Sequence, residues 1–117
     1  MKKRRILAVD DDEAVLAWLR AKLGERYEFL ATSAPREALE LARREAPALI
    51  LCDLDMPGFD GGDVLAALYG NDETRHIPVL FLSGLVTSQA QLGGRHVVSK
   101  SMPVAELIAR IDALIAP

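Results

Sequence analysis

Apolar positions along the chain fall into two alternating kinds of segment. Short apolar-rich runs stand at Ile6 to Val9, Tyr27 to Ala31, Leu49 to Cys52, Val79 to Leu82 and His96 to Val98, each the length of a buried strand. The segments between them carry helical spacing. Val15, Leu16, Leu19 and Leu23 share one face after Asp12, with acids in the first turn and Gly24 as a stop signal. Ala38, Leu39, Leu41 and Ala42 follow a start at Ser33 to Pro35 and end before Pro47. Val64, Leu65 and Leu68 follow Asp60, a good N-cap residue, and Val104, Leu107, Ile108, Ile111, Leu114 and Ile115 stripe the last segment.

Strands alternating with helices, the strands nearly all apolar, predict an α/β fold: a doubly wound parallel sheet with helices on both faces, joined by right-handed crossovers. Five strands suit the flavodoxin-like order 2-1-3-4-5. The segment "SGLVTSQAQLGGR" between the fourth and fifth strands is short and ends in Gly93-Gly94; it leaves room for two helical turns at most, so the fourth helix is expected to be short or missing. The chain has 117 residues, half of them hydrophobic (50%) and 26% charged, and shows no repeat or linker. One domain over residues 1–117 is the expectation. Trp18 reads as a helix residue at the margin of the core.

The charge pattern narrows the function classes. A formal net charge of -3 offers no global attraction to nucleic acid or acidic lipid, and the basic run "KKRR" at Lys2 to Arg5 is too narrow for a nucleic-acid footprint. No direct nucleic-acid or membrane partner is expected. Cys52 is the only cysteine, which precludes an internal disulfide and suits a reducing, cytoplasmic setting. Only Ile6 to Val9 follow the basic start before acids intervene, too little for a signal peptide.

The residues that end the apolar runs carry the candidate chemistry. The first run ends in Asp10, Asp11 and Asp12, the third in Asp53 and Asp55, the fourth in Ser83 and the fifth in Lys100. In an open parallel sheet, ligands bind beyond the carboxyl ends of the strands, and the order 2-1-3-4-5 makes these four strands consecutive neighbours. Carboxylates crowded there repel one another unless a cation joins them. An oxygen-only set favours Mg²⁺, which keeps several waters and binds carboxylates together with phosphate oxygens. A carboxylate beside such a metal can accept a phosphoryl group, with Lys100 neutralising its charge and the Ser83 hydroxyl donating a hydrogen bond to it. The turn at Met56-Pro57-Gly58 would let the Asp55 backbone carbonyl face the metal. Asp12 and Glu13 read more simply as the cap and first-turn charge of the first helix, and His76 and His96 have no second ligand at a recognisable spacing.

The motifs "ILAVDDDE", "LILCDLDMPGFDG", "IPVLFLSG" and "VVSK" followed by "AELIARIDALI" resemble, in this order and over almost the whole chain, the receiver domain of two-component response regulators, with its CheY-like fold. The resemblance implies that Asp53 is the phosphoacceptor. It also implies that Asp11 and the Asp55 carbonyl contact a Mg²⁺ ion directly and that Asp10 helps through water. Ser83 matches the family's switch hydroxyl and Lys100 its phosphate-binding lysine. The implied donor is a phosphohistidine on a sensor histidine kinase or histidine phosphotransfer protein, the domain itself catalysing transfer and hydrolysis. The implied output is an unknown partner protein or a fused effector, and no DNA-binding, methylesterase or cyclase segment follows in the sequence.

Three features depart from the family pattern. An aromatic residue usually stands three positions before the lysine, where this chain has Val97; proline usually follows the lysine, often in a cis bond, where this chain has Ser101. A non-proline cis bond costs about 3 kcal/mol, so a trans bond is expected. Ser83 and Lys100 are also closer in sequence than a full fourth helix needs, which predicts a remodelled partner face. These departures keep open an alternative, a pseudo-receiver that binds partners without regulation by phosphate. The "CDLD" run also resembles the Asp-x-Asp of haloacid-dehalogenase-type phosphatases. That family, however, places further metal-binding acids after its lysine, whereas here the acid cluster comes first.

Overall fold

The computed structural model describes residues 2–84, 90–92 and 95–116. Five parallel strands form its centre: β1 (Arg5–Val9), β2 (Glu28–Thr32), β3 (Leu49–Asp53), β4 (Val79–Ser83) and, after the short strand β5 (Ala90–Leu92), β6 (Arg95–Ser99). The sheet runs β2-β1-β3-β4-β6-β5, so the parallel strands taken alone have the expected order 2-1-3-4-5. The addition is β5, which pairs antiparallel to β6 at the edge.

The connection from β4 to β6 explains that addition. Parallel strands need a crossover of a dozen or more residues, usually a helix, and only residues 84–94 are available. Among the described residues the connection holds no helix; β5 lies along the free edge of β6 instead. The rest of "SGLVTSQAQLGGR", residues 85–89 and 93–94, lies outside the described residues.

Among the described residues four α-helices flank the sheet: α1 (Glu13–Leu23), α2 (Ala38–Glu45), which is preceded by a 3-10 turn at Pro35–Glu37, α3 (Gly61–Tyr69) and α4 (Val104–Ile115). Alternation along each strand divides the core between the two faces. Ile6, Ala8, Leu49, Leu51, Leu80, Leu82 and Val98 meet Leu16, Leu19, Leu23, Leu107 and Ile111 of α1 and α4. Leu7, Val9, Ile50, Cys52, Val79, Phe81 and Val97 meet Ala38, Ala42, Val64 and Leu68 of α2 and α3. The α4 helix is also tied down by polar contacts: the Tyr27 hydroxyl donates to Asp112 Oδ1 at 2.6 Å and Arg26 pairs with Asp112 Oδ2. Burial and the Asp112 hydrogen bond push the Tyr27 hydroxyl up to about 12, so it remains a donor throughout the neutral range.

Helix starts follow the cap residues in the sequence. The Asp12 side chain accepts from the Ala14 amide to open α1. Asp60 and Asp63 form a reciprocal capping box at α3, each carboxylate accepting the other's amide at 3.0 Å. Between β3 and α3, Gly58 has φ 80° after Pro57, a left-handed turn position suited to glycine. Trp18 is 40% exposed, so the indole belongs to the surface of α1 more than to the core.

Gly61 fixes how closely α3 approaches the strand that ends in Asp53. A Cβ there would stand 2.8 Å from the Asp53 carbonyl oxygen, 2.9 Å from Phe81 Cε1 and 3.0 Å from Leu54 Cα. Two of these three atoms are backbone and cannot swing aside. Gly61→Ala is expected to cost about 1–3 kcal/mol through overpacking, read as a fall of about 5–15 °C in the midpoint of thermal unfolding by circular dichroism. An unchanged midpoint would show that α3 can move outward freely.

Candidate functional site

In the sheet, β1 stands between β2 and β3. The chain leaves β1 in one direction and returns on the other side, which opens a crevice beyond the carboxyl ends of β1 and β3. Asp10 immediately follows β1 and Asp53 ends β3. Both are buried, at 2% and 3% exposure, because the strands that carry them are covered on both faces. Asp11 is exposed beside them. Carboxylate oxygens of Asp10, Asp11 and Asp53 lie within 4.8 Å of one another.

Lys100, one residue beyond β6, supplies the cation that this crowding demands. Its Nζ stands 3.2 Å from Asp10 Oδ2 and 3.3 Å from Asp53 Oδ1. A turn holds the lysine in place. Its amide donates to the Ser83 carbonyl at 3.0 Å, and the Ser99 hydroxyl oxygen accepts the Ser101 amide at 3.1 Å while lying 2.7 Å from the Ser101 hydroxyl. The Lys100–Ser101 peptide is trans, as expected, since the described chain contains no cis bond. Ser101 thus uses an N–H that proline lacks.

Ser83 is 1% exposed at the end of β4, and its hydroxyl donates to Asp55 Oδ2 at 2.8 Å. The Asp55 amide in turn donates to Asp53 Oδ1 at 3.2 Å. The four residues therefore close a ring of contacts: Lys100 to Asp53, Asp53 to Asp55, Asp55 to Ser83, and Ser83 back to Lys100 through the backbone. Both ring contacts of Asp53 fall on Oδ1. The residues that the sequence placed at four strand ends are thus brought together. The sequence did not reveal that the Asp55 carboxylate takes the Ser83 hydroxyl; an acid two positions beyond a strand-ending acid was its only signal.

Val97, in the position where the family usually has an aromatic, is fully buried opposite Phe81 in the β4–β6 register. It is a core residue. Beside Lys100 a groove of about 260 Å³ opens between α1 and α4, lined by Val15, Trp18, Met102 and Leu107 among others.

The electrostatics follow from burial. Burial pushes the Asp10 carboxyl above its ordinary value, opposed by the Asp12 amide at Oδ1, reinforced by the Asp53 charge and opposed again by Lys100. Burial works against the Lys100 ammonium, yet Asp10 and then Asp53 outweigh it together, and its pKa rises. Burial also pushes the Cys52 thiol up to about 12, with the charges of Asp53, Asp10 and Asp60 adding, so this thiol stays neutral in the core.

A divalent cation suits this donor set. All three clustered ligands are hard carboxylate oxygens, and Asp10 Oδ2 is buried with no hydrogen bond. The Lys100 contact to that oxygen is an ion pair without hydrogen-bond alignment, leaving a lone pair for a cation to satisfy.

A doubly wound sheet with a lysine-bridged acid cluster at its switch point defines a class of α/β domain with a cation-binding crevice. The family model for the response regulator receiver domain matches residues 6–112, and the chain belongs to that family. It is 45% identical over 82 residues to the response regulator PleD of Caulobacter vibrioides, a match covering 69% of this chain and 18% of PleD. It is 31% identical to the polar-differentiation response regulator DivK of Brucella anthropi, covering 94% of each chain. Among solved structures it resembles a response regulator from Desulfuromonas acetoxidans, with a TM-score of 0.82, 31% identity and 96% of each chain covered. The chain thus spans less than a fifth of the length of PleD and nearly the whole of DivK. It is a receiver domain of two-component signalling, and none of its described helices is long and apolar enough to cross a membrane.

The raised Asp10 pKa has a measurable consequence. A carboxyl whose folded pKa lies above its unfolded value, 3.8, favours folding below that value and progressively opposes it as the pH rises through the folded pKa. Asp10→Asn is therefore expected to raise the thermal midpoint by a few degrees at neutral pH in metal-free buffer, the gain vanishing below about pH 4. A gain of equal size at low pH would assign it to packing.

Proposed function

We propose that this domain accepts a phosphoryl group on Asp53 from a phosphohistidine of a sensor histidine kinase or histidine phosphotransfer protein. It thereby acts as a Mg²⁺-dependent switch in a cytoplasmic phosphorelay. The observation that carries the reading is Lys100 Nζ placed between Asp10 Oδ2 and Asp53 Oδ1, beside a carboxylate cluster that fits a hard divalent ion. The output is a contact with a partner protein or with a fused effector.

In this reading Asp53 Oδ2, the oxygen that the ring of contacts does not use, attacks phosphorus in line. The P–N bond of the donor breaks as the P–O bond forms, and its electron pair returns to the imidazole, which takes up a proton. Asp10, Asp11, Asp53 and the Asp55 carbonyl would hold Mg²⁺, which when bound neutralises charge on the phosphoryl oxygens. Lys100 stays within reach of Asp53 and neutralises a further phosphoryl oxygen. Ser83 donates its hydroxyl to another. The domain supplies positioning and charge for transfer and later hydrolysis, so it acts on itself and turns over no separate substrate.

A second reading, a pseudo-receiver that binds partners irrespective of phosphate, is favoured by Val97: with an aliphatic side chain buried in the core, ring movement cannot report the state of Asp53. Intact-protein mass spectrometry after incubation with Mg²⁺ and acetyl phosphate separates the two. Gain of one phosphoryl group, abolished by Asp53→Asn and by chelating the metal, is the expected result. A folded protein that gains none, with partner binding unchanged in Asp53→Asn, would favour the pseudo-receiver.

A further inference from the structure

The hydrogen bond between Ser83 and Asp55 lies outside the chemistry assigned to Asp53, although any role for it in signalling rests on Asp53 being the phosphoacceptor. We propose that the Asp55 carboxylate is a positioning residue that holds the Ser83 hydroxyl in reserve, and that exchange of this hydroxyl from Asp55 to the incoming group slows phosphoryl acceptance.

A serine hydroxyl has a single proton to donate. In the structure Ser83 donates to Asp55 Oδ2 at 2.8 Å, so donation to Asp55 and donation to a phosphoryl oxygen exclude each other. The acceptor is a carboxylate, which makes the bond stronger than one between neutral groups. The two partners differ in what they can do when it breaks. Ser83 is 1% exposed, whereas Asp55 is exposed, so water can satisfy its carboxylate when the bond breaks. The donor is thus buried and the acceptor is open to solvent, which suits exchange. Asp55 is also fixed to the reacting residue, since its amide donates to Asp53 Oδ1.

The exchange imposes a cost on the transition state that disappears when Asp55 cannot accept. The charge of Asp55 also repels an incoming phosphoryl group, an effect that does not involve Ser83. Two comparisons separate these contributions. Asp55→Asn removes the charge but keeps an acceptor oxygen, whereas Asp55→Ala removes both. A double-mutant cycle with Ser83→Ala isolates the part of the effect that passes through the hydroxyl.

The experiment measures the initial rate of phosphorylation of the full chain by acetyl phosphate with Mg²⁺, using intact mass. With Ser83 present, Asp55→Ala is expected to be severalfold faster than Asp55→Asn. The rate gain from Asp55→Ala is expected to be about tenfold larger with Ser83 than with Ser83→Ala, a coupling of about 1.4 kcal/mol, and Ser83→Thr should restore it. Equal gains in the two backgrounds within about twofold would overturn the proposal, as would equal rates for Asp55→Ala and Asp55→Asn, a comparison that needs no change at Ser83. If wild type gains no phosphoryl group that Asp53→Asn abolishes, the acceptor reading fails first; if it does and the coupling is absent, the Asp55 proposal fails alone.

Discussion

Crowding of like charge at the switch point is the constraint around which this domain is arranged. Asp10, Asp11 and Asp53 bring carboxylate oxygens within 4.8 Å of one another, and two of the three residues are buried. Such an arrangement is tolerable only if cationic and hydrogen-bonding partners are held in place. Lys100 is that partner, and its position depends on the whole sheet. Its backbone is set by β6, its amide is bonded to the end of β4, and its ammonium reaches the ends of β1 and β3. Strand order, register and the turn through Ser101 all bear on where one nitrogen atom sits.

The same constraint accounts for features that local structure alone leaves without a reason. Gly61 lets α3 begin directly against the Asp53 carbonyl, which fixes the end of β3. The Asp10 carboxylate is costly where it stands, as its raised pKa records. Instability at the site and fitness for a cation are one property viewed from two sides. Groups left short of partners by folding are those that a divalent ion would satisfy.

Much of this was legible in the sequence because two periods are strong signals. Unbroken apolar runs such as Leu49 to Cys52 mark strands covered on both faces, and the spacing of Leu16, Leu19 and Leu23 marks a buried helix face. Strand ends then located Asp10, Asp53, Ser83 and Lys100, since topology alone brings such positions together. The contacts that depend on side-chain direction were not legible. Whether Asp55 points to a cation, to solvent or to Ser83 is decided by the turn at Pro57 and Gly58, which periodicity does not encode. The edge strand β5 was also missed, because the short stretch Ala90 to Leu92 carries no alternation long enough to separate a strand from a loop. Asp60 was read as a cap, but the reciprocal bond from Asp63 needed the α3 geometry.

Counting charge at the crevice gives a different view of the ring through Lys100. Four formal carboxylates, those of Asp10, Asp11, Asp53 and Asp55, against one ammonium leave the site at -3, the same as the formal charge of the entire chain. All other acidic and basic side chains therefore cancel. The crevice is thus a site of net negative charge, and within a Debye length, about 8 Å at physiological salt, such a site gathers cations and repels phosphate. In the proposed reaction, a metal ion that arrives first would therefore ease the approach of an anionic donor.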